Sequence, residues 1–599
     1  MQYPDLKGSK IVSIDIETYD PDLKKLGPGV YREKGGFILG VALADENGFA
    51  EYYNLGHYDC SREEHRKNVS YLKETLAASN KKLGMSLRYD LDWLENWLEL
   101  KVNGQLYDIE IAEALIDENQ GHYSLDFMSL KYLGQGKFVD EIDRFCLDNG
   151  LKGDPREWLW KMPYKLVRKY AITDVRNPLE IFKKQWRILY EEDLLDLLRL
   201  ECDLMRCLLL MRKNGVRIDP DRRDRNALKL QNMLEEKKIQ VYREYGEFNY
   251  NSSQQIACLL DGLKIGYART NKGNPSVNAD WLKANVEYPL VRAVYDLRKI
   301  DKTINTFLLG SFVRFLTEGD LIHCSFYNMR TDEYGTRSGR LSTALPNLQQ
   351  IPGDTDKFYG IICREVFIPF EDCDWCKLDY SQIEYRFMAH FASGLGSEEI
   401  VKAYRKDPKT DYHLYIMNVT GLRRKPAKNL NFAIPYGMGV ATMSRKYRWE
   451  EGYCRGLLKT YHKNVPFMKT TIRKVEEASI RKGYIKTILN RRSRLKDKDK
   501  AYIMFCRLIQ GSAADLMKKA MVDCYKAGTF NELKLHLTVH DELDLSKPRT
   551  KAAGDALRET VHIMESCIKI KVPIKVDVSL GENWNFLKMT SEEQKELGL

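Results

Sequence analysis

Asp15 and Glu17 in "IVSIDIETYD" stand two residues apart in an apolar run. Alternate residues of an extended strand point to one face, so the two carboxylates sit side by side at the strand end, a pair suited to a hard divalent cation. Asp90 in "LRYDLDW" and Asp174 in "YAITDV" add two more acids, and Tyr170, four residues before Asp174, shares its helix face. A second group lies in the last third. Asp379 in "CKLDYSQIEYRFMAH" follows a short strand-like run and precedes a helical pattern. Asp541 in "LKLHLTVHDELDLSKP" falls on the parity of Leu535, Leu537, Val539, Leu543 and Leu545. A carboxylate among leucines is costly unless it is paired. The pattern therefore predicts a turn at His540 and Asp541 that presents Asp541 at a hairpin tip, with Glu542 more peripheral. Asp is also common in ordinary turns and at helix N-caps, which is the bland account of Asp541 and Asp379. Two carboxylates from separate strands can instead clamp two magnesium ions for phosphoryl transfer.

Between these acids, "LRRKPAKNLNFAIPYG" spaces Arg424, Lys428, Phe432 and Tyr436 four apart, along one slowly drifting helical stripe. Cations in a first helical turn oppose the helix dipole, and a phosphate partner removes the conflict. Arg424 and Lys428 thus suit a triphosphate, and Phe432 suits a base. Pro435 lacks the N–H for a bond back to Asn431 and predicts a kink or an end to this helix.

The elements that must hold these residues differ between the two parts of the chain. "KIVSIDIETYD" and "GGFILGVALAD" read as paired central strands, and "YDLDWLENWLEL" as a helix, which is α/β patterning. From about residue 190 the chain turns helical, with "YEEDLLDLLRLECDLMRCLLLMRKNG" ending at Gly215. A chain of 599 residues exceeds one core and supports several domains. Its formal charge of +10 hints at an anionic partner, and the basic runs "LRRKPAKN" and "NRRSRLKDKDK" lie beside the second group of acids. The 13 cysteines are scattered and odd in number, the pattern of reduced thiols rather than of a disulfide framework or zinc site. With no apolar run of membrane length and no leader-like start, the expectation is a protein of a cytoplasm-like compartment.

The first acid set with Tyr170 resembles the 3′→5′ exonucleases of the DnaQ-like, or DEDDy, class. "DYSQIEYR", "RRKPAKNLNFAIPYG" and "VHDEL", in that order, resemble motifs A, B and C of family A DNA polymerases, the DNA polymerase I group; "SGRLSTALPNLQQIP" and "LIQGSAADLMK" also match that family. The resemblance covers essentially the whole chain. It implies an α/β ribonuclease H-like exonuclease domain over 1–190, then an α+β right-hand polymerase over 191–599. The thumb would span about 200–320, the palm about 321–395 and 530–599, and the fingers about 396–529. It implies two Mg2+ ions on Asp379 and Asp541, and two divalent ions on Asp15, Glu17, Asp90 and Asp174, with Tyr170 orienting the attacking water. It further implies Glu384 as the steric gate against a 2′-hydroxyl, Tyr436 near the templating base, and DNA contacts by Arg340, Arg386, Gln510 and His540. The resemblance implies primer-template DNA and dNTPs as partners, bound by a monomer of the compact phage plan, in replication or repair in the cytoplasm of a bacterial or phage-infected cell.

Three positions depart from that family's pattern. Ser86 stands where Asn is usual four residues before the second exonuclease acid, Cys506 where Asn is usual four before Gln510, and Pro435 where relatives have another residue. Three other readings of the chain are separable by assay. A single-subunit RNA polymerase would incorporate ribonucleotides, a nuclease with a degenerate C-terminal half would not extend a primer, and a non-catalytic DNA-binding module would show no magnesium-dependent turnover.

Overall fold

A computed structural model describes residues 2–136, 140–353, 357–435 and 437–585. The N-terminal sheet has five strands: β1 (Ile11–Tyr19), β2 (Phe37–Asp45), β3 (Ala50–Asn54), β4 (Lys81–Gly84) and β5 (Leu106–Asp108), in the order β3-β2-β1-β4-β5. The two apolar runs singled out in the sequence are neighbours, β1 running antiparallel to β2, while β4 and β5 continue the sheet in parallel. Such near-continuous apolar strands need cover on both faces. The helix α1 (Leu87–Asn96) and the long helix α2 (Tyr164–Glu191) both pack against β1. Asp15 and Glu17 lie within β1 rather than at its end: the strand continues to Tyr19, with an irregularity in register just after Glu17.

Beyond α2 the chain is mostly helical. The helix α3 (Leu195–Asn214) ends at Gly215 as its spacing predicts, and α4 (Pro220–Tyr245) and α5 (Pro289–Lys302) pack on each other. A second sheet is built from β6 (Cys373–Tyr380), β9 (Lys534–Val539), β10 (Glu542–Pro548) and β11 (Val576–Gly581), in the order β9-β10-β6-β11 and antiparallel throughout. Between β6 and β9 in the chain come α6 (Ile383–Phe391), α7 (Arg424–Ala433), the small hairpin of β7 (Tyr484–Lys486) and β8 (Arg492–Arg494), and α8 (Met504–Ala527). Most of the buried apolar residues of the two halves form one continuous cluster, from Leu6 to Trp584, with Ile485, Met504 and Leu508 in a small separate one. Cys373 and Cys376 make one C-x-x-C spacing, but on a strand residues three apart face opposite ways, and both are free thiols.

Candidate active sites

In the first half, Asp15, Glu17 and Asp174 bring carboxylate oxygens within 4.8 Å of one another, the only metal-capable group of this kind among the described residues. Glu17 and Asp174 are buried and Asp15 half-buried. Glu17 pairs across the sheet with Gly40, where a Cβ would stand 2.4 Å from the ring of Tyr52. The missing side chain leaves that ring its place beneath the acids. Asp90, on α1, accepts a hydrogen bond from the Ile16 N–H at 3.0 Å, which aims it at the same stretch of β1. Burial first, and then Asp15, push its carboxyl well above the ordinary range. Tyr170 shares the buried face of α2 with Asp174, and burial together with Asp174, Glu17 and Asp15 keeps its phenol protonated. All five residues named for this site thus converge. The oxygen-only donor set fits a hard divalent cation.

Ser86 does not face these acids. It is exposed, takes a left-handed φ of 51° at the N-cap of α1, and donates to Glu110 at 2.8 Å. Asn tolerates that backbone region better than Ser, so the exchange bears on the start of α1 rather than on the donor set.

In the second half, β9 and β10 are joined through His540 and Asp541, with Val539 opposite Glu542. Asp541 therefore leaves the strand at a hairpin tip, and His540 carries a left-handed φ of 60°. Asp379 lies in the central strand β6, opposite Glu542 on one side and Asp577 on the other. The Tyr380 N–H donates to the Asp541 carbonyl at 3.1 Å, tying the hairpin tip to the end of β6. Burial and then Asp541 push the Asp379 carboxyl up to about 7, and burial and then Glu384 push Asp541 up to about 6. Carboxylates held together at that cost have their natural counter-charge in a cation.

Glu542 is not peripheral. It is buried opposite Asp379 and bound by Lys377 at 2.6 Å, and the same ammonium lies 3.5 Å from Asp379. Lys377 is two residues before Asp379 on one strand face, a period-2 signal that could have found it. A narrow cleft opens at the hairpin tip, lined by Arg340, Glu384, His540 and Asp541, with Ala513, Ala514 and Met517 of α8 as its wall. Arg340 and Glu384 form an ion pair across it. Gln510 is half-buried on α8, and Cys506, one turn earlier, lies near Glu384 and Arg340.

Two expectations need correction. Arg386 does not face a DNA surface. Its side chain is buried and donates to the carbonyls of Ser381 at 2.7 Å, Pro573 at 2.6 Å and Pro408 at 2.8 Å, over the ring of Tyr404. Its motif neighbour Glu384 lies two positions away, about 200° around the helix, so one faces the cleft and the other the core. The four-residue stripe of the basic helix also runs short. α7 ends at Ala433, two residues before Pro435, so Arg424, Lys428 and Phe432 share it. Tyr436 lies outside the described residues. Arg424 and Lys428 are exposed in its first two turns, Arg424 within 3.4 Å of Asp411.

The family model for DNA polymerase family A matches residues 221–586, more than half of the chain. The chain belongs to that family. A 3'-5' exonuclease model matches residues 5–190, so this is a DNA-directed DNA polymerase with an N-terminal exonuclease domain. The DNA-directed DNA polymerase of Pseudomonas phage M6 is 32% identical, with 97% of this chain and 95% of the relative covered. DNA polymerase DpoZ of Salmonella phage PMBT28 is 26% identical over 97% and 98% of the two chains. Among solved structures, the POL domain of Pol1 from M. smegmatis, complexed with DNA primer-template and dNTP, superposes with a TM-score of 0.80 at 20% identity, covering 97% of this polymerase and 96% of that chain. Polymerases of this family that carry an exonuclease domain depend on divalent metal. Among the described residues, no helix of this polymerase is long and apolar enough to cross a membrane.

Proposed function

We propose that this polymerase extends a DNA primer with dNTPs on a template at Asp379 and Asp541, with Mg2+ as the metal, and removes 3′-terminal nucleotides at Asp15, Glu17, Asp90 and Asp174. The hairpin turn that sets Asp541 beside Asp379 carries this reading. One divalent pair at each acid cluster would neutralise charge around the reacting phosphate. Arg424 and Lys428 would take the triphosphate, as exposed cations in the opening turns of α7. Glu384, held in one orientation by Arg340, would meet the 2′ position of the incoming sugar and exclude a hydroxyl there. Gln510 and His540 would lie along the primer terminus, where minor-groove acceptors are shared among base pairs. Tyr170, a protonated phenol beside the first cluster, would orient the attacking water. Phage relatives favour a role in phage DNA replication, with primer-template DNA and dNTPs as partners and a monomer as the working unit.

The test is primer extension with four dNTPs and Mg2+, set beside degradation of a single-stranded 3′ end. Asp541→Ala should abolish extension and keep degradation, and Asp15→Ala should do the reverse. Extension surviving in the first variant, or degradation in the second, would overturn the residue assignments.

A further inference from the structure

We infer that Arg212, from the first helix beyond the exonuclease domain, is a positioning residue of the exonuclease site. The inference rests on the reading of Asp90 as a ligand of that site. Asp90 and Asp92 stand two residues apart on α1, about 200° around its axis, so they leave the helix on nearly opposite sides. Asp90 turns to β1 and the Ile16 N–H. Asp92 turns away and is buried, accepting from Arg212 Nε at 2.6 Å, the Tyr31 hydroxyl at 2.8 Å and Asn96 Nδ2 at 3.0 Å.

Arg212 spends its remaining donors on both halves of the molecule. Nη2 donates to the Pro28 carbonyl at 2.7 Å, in the exonuclease domain, and Nη1 to the His323 carbonyl at 2.8 Å and Ser325 Oγ at 3.2 Å, in the polymerase half. The ion pair is closed to solvent, 6% of the Arg212 side chain and 2% of that of Asp92 being exposed. Tyr31 seals it by stacking on His323 at 4.2 Å.

The helix between the two acids has little hold of its own. α1 has ten residues, and Ser86 at its N-cap makes no capping bond. A helix that short takes its position from tertiary contacts. Its rotation over β1 is set by the buried Leu87, Leu91, Trp93 and Leu94, by Tyr89 on Thr18 and Asp20, by the Leu87 N–H on Asp108, and by the two acids, Asp90 on Ile16 and Asp92 on Arg212. Without Arg212, Asp92 is a buried carboxylate stripped of its cation, and α1 relieves that by rolling Asp92 outward. The same roll draws Asp90 off the cluster. Supporting residues of this kind typically change metal affinity 10- to 100-fold, so the exonuclease site depends for its affinity on a residue of the polymerase half.

The experiment uses the full chain. Mn2+ binding is followed by electron paramagnetic resonance in a background carrying Asp379→Asn and Asp541→Asn, which removes the other acid pair, with and without Arg212→Met. Degradation of a single-stranded 3′ end against Mg2+ concentration and primer extension are followed without those two changes. Arg212→Met should weaken Mn2+ binding about 10-fold or more. It should raise the Mg2+ needed for half-maximal degradation by the same factor and leave primer extension within twofold. Arg212→Lys, which restores the charge but not the fork, should recover part of the affinity, and it carries the test if the Met variant does not fold. Mn2+ binding and Mg2+ dependence that superpose on wild type would overturn the inference, as would a parallel loss of both activities with unchanged Mn2+ affinity. Wild type that degrades no 3′ end would sink the underlying reading instead, a result separate from the binding comparison.

Discussion

Changing Glu201 to Gln removes one charge from a sealed network of four. Glu201 on α3 accepts from Arg491, from Lys518 at 2.6 Å and from Asn328 at 2.8 Å, while Arg491 also reaches Asp515 at 2.8 Å. Two acids and two cations balance, and Glu201, Lys518 and Asp515 are all fully buried. Burial outweighs the pairing at Lys518, whose ammonium is lowered from 10.5 to about 8. Keeping that charge in the folded protein costs on the order of 3 kcal/mol. Without Glu201 its ammonium is lowered further, and Lys518 would fold neutral at an added cost on the order of 1 kcal/mol at pH 7. Arg491 cannot shed its proton, and as a buried cation short of a partner it brings the total to about 3–5 kcal/mol.

The loss should be local to α8, which carries Asp515 and Lys518, and is best read by hydrogen exchange of α8 peptides. Their protection should fall roughly 10²- to 4 × 10³-fold in Glu201→Gln. Adding Lys518→Met restores neutrality and should recover at least half of that free energy. Protection within threefold of wild type, or a further loss in the double variant, would refute the charge-balance reasoning.

Further expectations concern the interfaces and the sites. Arg386→Met strips three backbone carbonyls of their donor, so it should lower the thermal midpoint while leaving the affinity and salt dependence of DNA binding unchanged; a flatter salt slope would restore it to the DNA surface. Gly40→Ala drives a Cβ against the Tyr52 ring beneath Glu17 and should depress 3′-end degradation at least tenfold with primer extension intact, compared in one preparation. Glu110, between Asp108, Arg88, Ser86 and Asp332, is pushed from 4.5 up to about 8, by burial first and then by Asp108. The folded state then binds this proton more tightly than the unfolded chain, so stability present at low pH is lost as pH rises from about 4.5 through about 8. Glu110→Gln is blind to that proton. Its unfolding free energy should gain on that of wild type between pH 5.5 and 8.5, by on the order of 1–3 kcal/mol, and a change in the opposite direction would contradict the assignment.

Local rules already carried much of the two sites. Alternation along β1 put Asp15 and Glu17 on one face, four-residue spacing put Tyr170 with Asp174 on α2, and the parity clash at Asp541 anticipated the hairpin turn. Pro435 marked the early end of α7. Each of these signals comes from residues within one or two turns or strand steps, where backbone geometry alone dictates direction. Other features escaped because their partners lie far along the chain. Arg386 looked like its motif neighbour Glu384, yet its guanidinium is spent on carbonyls up to 187 residues away. Glu542 is central rather than peripheral because β6 brings Lys377 and Asp379 against it.

The sequence by itself determined that this is a two-part chain with two acid clusters and a basic helix between, since periodicity and residue chemistry are written locally. Only the tertiary structure decided which cation each acid meets. Arg212 reaches Asp92 across 120 positions, and Lys518 reaches Glu201 across 317. A buried charge takes its partner from whatever packing delivers, and packing is a property of surfaces that meet in space rather than of neighbours in the chain.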